Sequence, residues 1–159
     1  MAVKVGINGF GRIGRMVMRS IIQRKLDIQV LGINDLSDPQ ELAHLLRYDS
    51  VHGRVGTEVE VKDGNLIIGG KEIHCTQIRN VEELPWKNLG VDIVLECTGL
   101  FRDRDSAANH LKAGARKVII SAPGKNVDAT FVIGVNEDTY DLANHEIVSN
   151  ASCTTNCLA

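Results

Sequence analysis

The segment INGFGRIGR, residues 7–15, sets glycines at the spacing GxGxxG between an apolar run at residues 3–7 and a helical pattern at residues 12–23. In that pattern Ile13, Met16, Val17 and Ile21 recur on one face. A strand, a glycine turn and a helix in this order suit one chemistry. Gly9 permits a sharp turn, Gly11 lets the backbone approach a pyrophosphate, and Gly14 lets the helix pack closely on the strand. The helix N-terminus then offers unpaired N–H groups and the positive end of its dipole to phosphate. A second apolar run, residues 28–33, closes on Asn34 and Asp35, so that Asp35 stands 21 positions after Gly14. An acidic residue there accepts hydrogen bonds from ribose hydroxyls, and its charge opposes a 2′-phosphate. The stretch therefore predicts a dinucleotide site that prefers NAD to NADP.

The flanking sequence extends the same pattern. Pro39 opens a helix running to residue 46, since proline is tolerated in a first turn. Strand, helix and strand joined by tight turns indicate a parallel crossover. Residues 57–78 change character, alternating apolar and polar side chains around the turn signals Asp63-Gly64-Asn65 and Gly69-Gly70. Strands are then expected at residues 93–95, 117–120, 131–133 and 146–148, with a helix at 104–112 closed by Gly114. The fold class is α/β: a Rossmann-type, doubly wound, mostly parallel sheet with an inserted antiparallel meander.

Bulk properties narrow the function classes. A chain of 159 residues suits one domain, or one domain and a fragment of a second. A formal net charge of −2 gives no electrostatic case for nucleic acid or an anionic membrane as partner. No apolar run approaches the ~20 residues of a membrane span, and the opening MAVKVGINGFGRIG lacks a signal-peptide pattern. The expectation is a cytoplasmic protein with reduced cysteines. The four cysteines lack the two separated CxxC pairs of a zinc site, so no metal is expected.

Two further segments carry chemistry. Glu96-Cys97-Thr98-Gly99 ends a strand, where ligands of open α/β sheets sit, so Thr98 and Gly99 are expected to line the cofactor site. Phe101 adds a flat apolar face there, while Cys97 and Cys75 read as small core residues. In SNASCTTNCLA, residues 149–159, Cys153 stands where a strand runs into a helix, with Ser152 as its N-cap. The helix dipole and free N–H groups would favour the thiolate, and the same N–H groups would bind an oxyanion or phosphate. The competing reading is a buried cysteine at a helix start. Cys157, one turn on, reads as core. None of His44, His52, His74, His110 and His145 holds a position that argues for partnership with Cys153; each reads as solvated or core.

With these residues in place, the chain resembles the N-terminal half of the phosphorylating glyceraldehyde-3-phosphate dehydrogenase family. The resemblance runs from Val3 to Ala159 through INGFGRIGR, YDSVHG at 48–53, ECTGLF at 96–101, ISAP at 120–123 and SNASCTTNCLA. Arg102, where many members carry threonine, is a small departure. The resemblance implies NAD as cofactor, with glyceraldehyde 3-phosphate and inorganic phosphate as substrates. It implies a cofactor set of Asn8, Gly9, Phe10, Gly11, Arg12, Ile13, Gly14, Asn34, Asp35, Arg79, Thr98, Gly99, Phe101 and Ser121. Cys153 would be the catalytic nucleophile, passing through a thiohemiacetal and a thioester, with Ser152 and Thr154 holding phosphate or substrate. It further implies an NAD-binding domain at 1–149 and the start of a catalytic domain at 150–159. The rest of that domain, with the histidine base, lies beyond Ala159, and the full-length family member is a homotetramer. On its own the chain is expected to be catalytically incomplete. The alternatives are an isolated NAD-binding or redox-thiol module and a fragment of an erythrose-4-phosphate dehydrogenase. A semialdehyde dehydrogenase of similar architecture is disfavoured by the motifs.

Overall fold

Apolar runs and glycine turns place the elements where the helical and strand periods change. A computed structural model describes residues 2–159. Strand β1 (Val3–Asn8) leads through the glycine turn into helix α1 (Arg12–Arg24), and β2 (Ile28–Asn34) follows. Helix α2 (Pro39–Arg47) starts at the proline, with Asp38 Oδ1 accepting from the Gln40 N–H at 2.8 Å. A two-residue hairpin, β3 (Tyr48–Asp49) with β4 (Gly53–Arg54), precedes the meander β5 (Val59–Lys62), β6 (Asn65–Ile68) and β7 (Lys71–Thr76). The short helix α3 (Trp86–Leu89) leads to β8 (Ile93–Glu96), then α4 (Arg104–Ala107) and α5 (Asn109–Lys112) lead to β9 (Lys117–Ile120). The edge strand β10 (Ala129–Thr130), then β11 (Ile147–Ser149) and α6 (Cys153–Leu158), complete the chain.

The strands form one nine-stranded sheet in the order β10-β11-β9-β8-β1-β2-β7-β6-β5. Every pair from β10 to β7 is parallel, and only β7-β6 and β6-β5 are antiparallel. The expected meander is therefore present, and its last strand is also a member of the parallel sheet, pairing Gly32 with His74 and Asn34 with Thr76. From β1 the chain winds outward through β2 in one direction and, after the meander, through β8 in the other. The strand order reverses at β1, which opens a crevice at the carboxyl ends of β1 and β8.

Several local expectations are corrected. On α1 the buried residues are Gly14, Met18, Arg19 and Ile21, while Ile13 is exposed and Met16 and Val17 are half-buried. The contact line is shifted because Gly14 is where the helix touches the glycine turn most closely: a Cβ there would lie 2.3 Å from the Gly9 carbonyl oxygen. The strand expected at 131–133 is displaced to Ala129–Thr130. Phe131 donates its N–H to the last sheet carbonyl, that of Ser149, at 2.8 Å. Asn136 Oδ1 then captures the Val132 N–H at 2.8 Å, which turns the chain off the sheet and leaves Ile133 exposed. The helix at 104–112 divides at Ala108, where the Leu111 N–H bonds three residues back to the Ala108 carbonyl.

The core is built around large side chains sealed by both layers. Trp86 is 1% exposed and lies against the paired glycines Gly6 and Gly32 of β1 and β2. A Cβ on Gly6 would meet the indole at 2.8 Å, and one on Gly32 would meet it at 3.1 Å. Two adjacent strands thus lack side chains at the place where the ring lies. Overfilling such a site costs about 1–3 kcal/mol. Gly6→Ala is expected to lower stability by about that amount in urea denaturation, and an unchanged midpoint would show that the ring has room to move.

Candidate functional site

The site begins with the glycine turn. Gly9 has φ +89, and a Cβ there would meet the Thr98 backbone nitrogen at 2.7 Å. The Gly9 N–H donates to the Asn34 carbonyl at 2.8 Å, and the Phe10 N–H donates to Asp35 Oδ2 at 2.7 Å. Asp35 Oδ1 accepts from the Ser37 N–H at 3.0 Å. The loop after β1 is thus tied to the end of β2 before any ligand arrives. Gly11 is the N-cap of α1 and supplies no side-chain cap, and a Cβ on it would meet nothing within 4 Å. The first-turn N–H groups of the helix have no intrahelical partner, and no acidic side chain lies in that turn. Open space beside Gly11, next to those donors, fits a pyrophosphate.

Beyond the turn lies a cleft of about 370 Å³ lined by Asn8, Gly9, Gly11, Asn34, Asp35, Leu36, Ile78, Arg79, Val81, Cys97, Thr98, Leu100 and Phe101. Eight of the expected cofactor residues are therefore brought together: Asn8, Gly9, Gly11, Asn34, Asp35, Arg79, Thr98 and Phe101. Phe10 is fully buried below the loop, and Gly14 is packed against Gly9. Arg12 and Gly99 are exposed without lining this cleft. Ile13 and Ser121 lie in a second cleft of about 430 Å³, with Val17, Leu95, Cys97, Ile119, Asn150, Ala151, Ser152, Cys153 and Asn156. Cys97 borders both, so the two clefts adjoin across the carboxyl ends of the central strands. Leu36 and Ile78 went unnoticed in the sequence because they are loop residues without a motif, and Leu100 and Asn150 because nothing in their own side chains marks them within the quoted motifs.

The terminal segment presents Cys153 on a well-fixed turn. At the end of β11, Ser149 Oγ donates to the Ala122 carbonyl at 2.7 Å and accepts from the N–H groups of Gly124 and Ala151, each at 3.0 Å. Ala151 is buried with φ +57, a left-handed conformation costly for a residue with a Cβ. Ser152 Oγ accepts from the Thr155 N–H at 2.9 Å, as the N-cap reading requires. Asn156 Nδ2 donates to the carbonyls of Asn150 and Ser152, both at 2.9 Å. Cys153 is the first residue of α6 and is exposed, which overturns the reading of a buried cysteine. Cys157 is exposed as well, so its core assignment is also corrected. Ser152 borders the cleft with Cys153, whereas Thr154 is exposed outside it. No histidine lines either cleft.

The other thiols differ. Burial pushes the Cys97 thiol up to about 11, assisted by the neighbouring Glu96 carboxylate, so it stays protonated near neutrality. Cys97 packs against the core as expected while also bordering the clefts. Burial raises the Cys75 thiol too.

Arg12 is held by its guanidinium to Asp49 across the β3–β4 hairpin, with Nη2 3.2 Å from Oδ1. Asp49 Oδ1 also accepts the N–H groups of His52 at 2.8 Å and Val51 at 2.9 Å. These backbone bonds, the His52 one foremost, together with Arg12 hold the Asp49 carboxyl well below the usual carboxylate range. A depressed folded value means that its contribution is present above the unfolded carboxylate value, about 3.9, and is lost as pH falls below it.

Asp49→Asn is accordingly expected to flatten the loss of stability on acidification below about pH 4. Thermal melts of both proteins between neutrality and pH 2 read this directly, and parallel curves would deny Asp49 a share. At the turn before Cys153, Ala151→Val adds a β-branched side chain to a buried residue of positive φ. It should cost about 2 kcal/mol or more, measured by chemical denaturation; a valine tolerated without loss would mean that the turn relaxes freely.

Residues 3–104 match the family described as glyceraldehyde 3-phosphate dehydrogenase, NAD binding domain. Over 159 residues the chain is 60% identical to the glyceraldehyde-3-phosphate dehydrogenase of Geobacillus stearothermophilus, covering 100% of this chain and 47% of the relative. It is 57% identical, with the same coverage, to glyceraldehyde-3-phosphate dehydrogenase 1 of Bacillus subtilis. The corresponding enzyme of Pseudomonas aeruginosa is 58% identical over 161 residues, covering 100% of this chain and 48% of the relative. The chain spans about half the length of the curated relatives it matches. The family match covers both the glycine turn and the ECTG strand end, and on that ground the chain belongs to the glyceraldehyde 3-phosphate dehydrogenase NAD-binding domain family.

Proposed function

We propose that the chain is the cofactor-binding part of a dehydrogenase that oxidises glyceraldehyde 3-phosphate and joins it to inorganic phosphate, giving 1,3-bisphosphoglycerate. The observation that carries this reading is that Cys97 lines both clefts, with Asp35 in one and Cys153 in the other. Residues 1–149 form the cofactor domain in this proposal, and the segment from Asn150 opens the catalytic domain. The full enzyme would be a cytoplasmic homotetramer. No helix among the described residues is long and apolar enough to cross a membrane.

Each residue has a role that its position supports. The backbone N–H groups at Arg12 and Ile13 receive the pyrophosphate, the Arg12 side chain being engaged by Asp49. Asp35 retains lone pairs beyond its bonds to Phe10 and Ser37 and accepts the adenosine ribose hydroxyls. Arg79 and Phe101 flank the adenosine, and Thr98, Gly99 and Ser121 follow the cofactor toward Cys153. The Cys153 sulfur forms a bond to the aldehyde carbon, whose C=O electron pair moves to oxygen and takes a proton, giving a thiohemiacetal. The hydride acceptor for its oxidation is the chemistry that NAD supplies when bound. Loss of that hydride, and of the hydroxyl proton to the base, leaves a thioester on Cys153; a phosphate oxygen attacks its carbon and expels the thiolate. Ser152 fixes the turn as the helix cap, and the exposed Thr154 hydroxyl, 2.9 Å from Ser152 Oγ, has a lone pair or proton left to meet phosphate. The base that receives the thiol proton comes from another part of the enzyme, in keeping with clefts that no histidine lines.

Calorimetric titration of the chain with NAD and then NADP tests the reading. Binding of NAD at least about tenfold tighter than NADP is expected, and Asp35→Ser should lower NAD affinity about tenfold, because hydrogen bonds to a charged group are worth about 1.5–3 kcal/mol. Equal affinity for the two cofactors would remove the role of Asp35. Binding of neither would overturn the claim that this chain forms a working site.

A further inference from the structure

A line of buried polar side chains crosses the carboxyl ends of β7, β2, β1 and β8 beneath the first cleft, and the backbone fixes its polarity. At one end Asn34 Oδ1 accepts from the Ile78 N–H at 2.9 Å and from Thr76 Oγ1 at 2.8 Å, while Asn34 Nδ2 donates to the Ile78 carbonyl at 2.9 Å. A backbone N–H only donates and a carbonyl only accepts, so the Asn34 amide has one orientation. Its Nδ2 also donates to Asn8 Oδ1 at 2.8 Å, which leaves Asn8 Nδ2 to donate to Glu96 Oε2 at 2.6 Å. At the other end the Trp86 indole N–H, a donor only, lies 3.1 Å from His110 Nδ1, which must therefore accept. The His110 proton is then on Nε2, 2.9 Å from the same Glu96 oxygen. Glu96 Oε1 accepts from the Thr98 N–H at 2.8 Å and from the Thr98 hydroxyl. Both routes end on Glu96 as the acceptor of four donors, the ionised form of the carboxyl. The side chains of Glu96 and His110 are both 0% exposed.

A buried charge is a poor device for stability, because desolvation offsets what its partners return. Its placement points instead to what it holds. Asn8 and Thr98 line the dinucleotide cleft, and the Thr98 hydroxyl in turn accepts the N–H of Leu100, another lining residue, at 3.1 Å. We infer that Glu96 is a positioning residue for the dinucleotide cleft, acting through Asn8 and Thr98, and that His110, locked by Trp86 as its Nε2–H tautomer, holds Glu96 in place. The inference rests on the dinucleotide reading of that cleft.

Two measurements test it. Nitrogen NMR of the wild-type imidazoles should show His110 with a protonated Nε2 and a bare Nδ1; a protonated Nδ1 at neutral pH overturns the inference, whatever the variants do. NAD titration then separates positioning from general support. Glu96→Gln puts an amide NH₂ where Asn8 and His110 already donate, or else turns it on Thr98, and should weaken NAD about tenfold or more. His110→Leu and His110→Gln both leave the Trp86 N–H without its partner, but only glutamine returns an N–H toward Glu96. His110→Leu should therefore lose about tenfold in NAD affinity while His110→Gln stays within about threefold. Folded variants that all bind NAD as the wild type does would overturn the inference alone. A wild-type chain that fails to bind NAD would overturn the dinucleotide reading and this role with it.

Discussion

The carboxyl ends of four parallel strands are joined by polar side chains largely withdrawn from water, and the site depends on their mutual satisfaction. Asn8, Asn34 and Glu96 are each at most 5% exposed, and each stands as the last residue of its strand. An unpaired buried amide or carboxylate is costly, so β1, β2 and β8 must end in step. Their register agrees, with Asn8 opposite both Asn34 and Glu96. The loops that leave these three ends line the cleft together with Ile78, Arg79 and Val81 from the segment after β7. Trp86 sits at the far end of the same line, and the side-chain-free pair Gly6 and Gly32 gives its ring a place to lie.

Against that floor, the glycine turn and the cysteine turn use different means to hold a difficult backbone. Gly9 adopts positive φ without steric cost, and its lack of a Cβ admits Thr98 at close range. Ala151 adopts positive φ with a Cβ in place; Ser149 Oγ accepts its N–H, and Asn156 donates to the carbonyls of Asn150 and Ser152 on either side. The strained residue stands two positions before Cys153, and in the proposed reading it fixes where that thiol is presented. The cysteines sort themselves by environment. Cys97 is pushed toward the inert thiol by burial beside a carboxylate, whereas Cys153 stands exposed at the mouth of the second cleft.

Much of this was legible in the sequence, and the reason differs from part to part. The strand–turn–helix around GxGxxG, the proline-started helix and the hairpins at Asp63-Gly64 and Gly69-Gly70 rest on local conformational preferences, which a sequence states directly. The acidic residue after β2 and the Ser152 cap are local in the same sense. Misreadings arose where a contact that the helix or strand period does not express decided the outcome. The buried stripe of α1 was set by contact between Gly14 and Gly9, and the edge strand near Phe131 was cut short by Asn136. Cys157 looked apolar enough for a core and yet is exposed, as is every residue of its helix.

The sequence by itself determined the class of fold, the glycine turn between β1 and α1 and the place of Cys153 behind its Ser152 cap, because spacing along the chain encodes turns, caps and periodicity. Only the tertiary structure decided that Asp35 would hold the Phe10 N–H, that Cys97 would join two clefts, and that His110, read as solvated or core, would complete the hydrogen bonding of Glu96. Those pairings span 25 residues for Asp35 and 14 for His110. No local preference encodes them: they exist because the parallel crossovers bring separate strand ends to one edge, where each buried polar atom must find its partner.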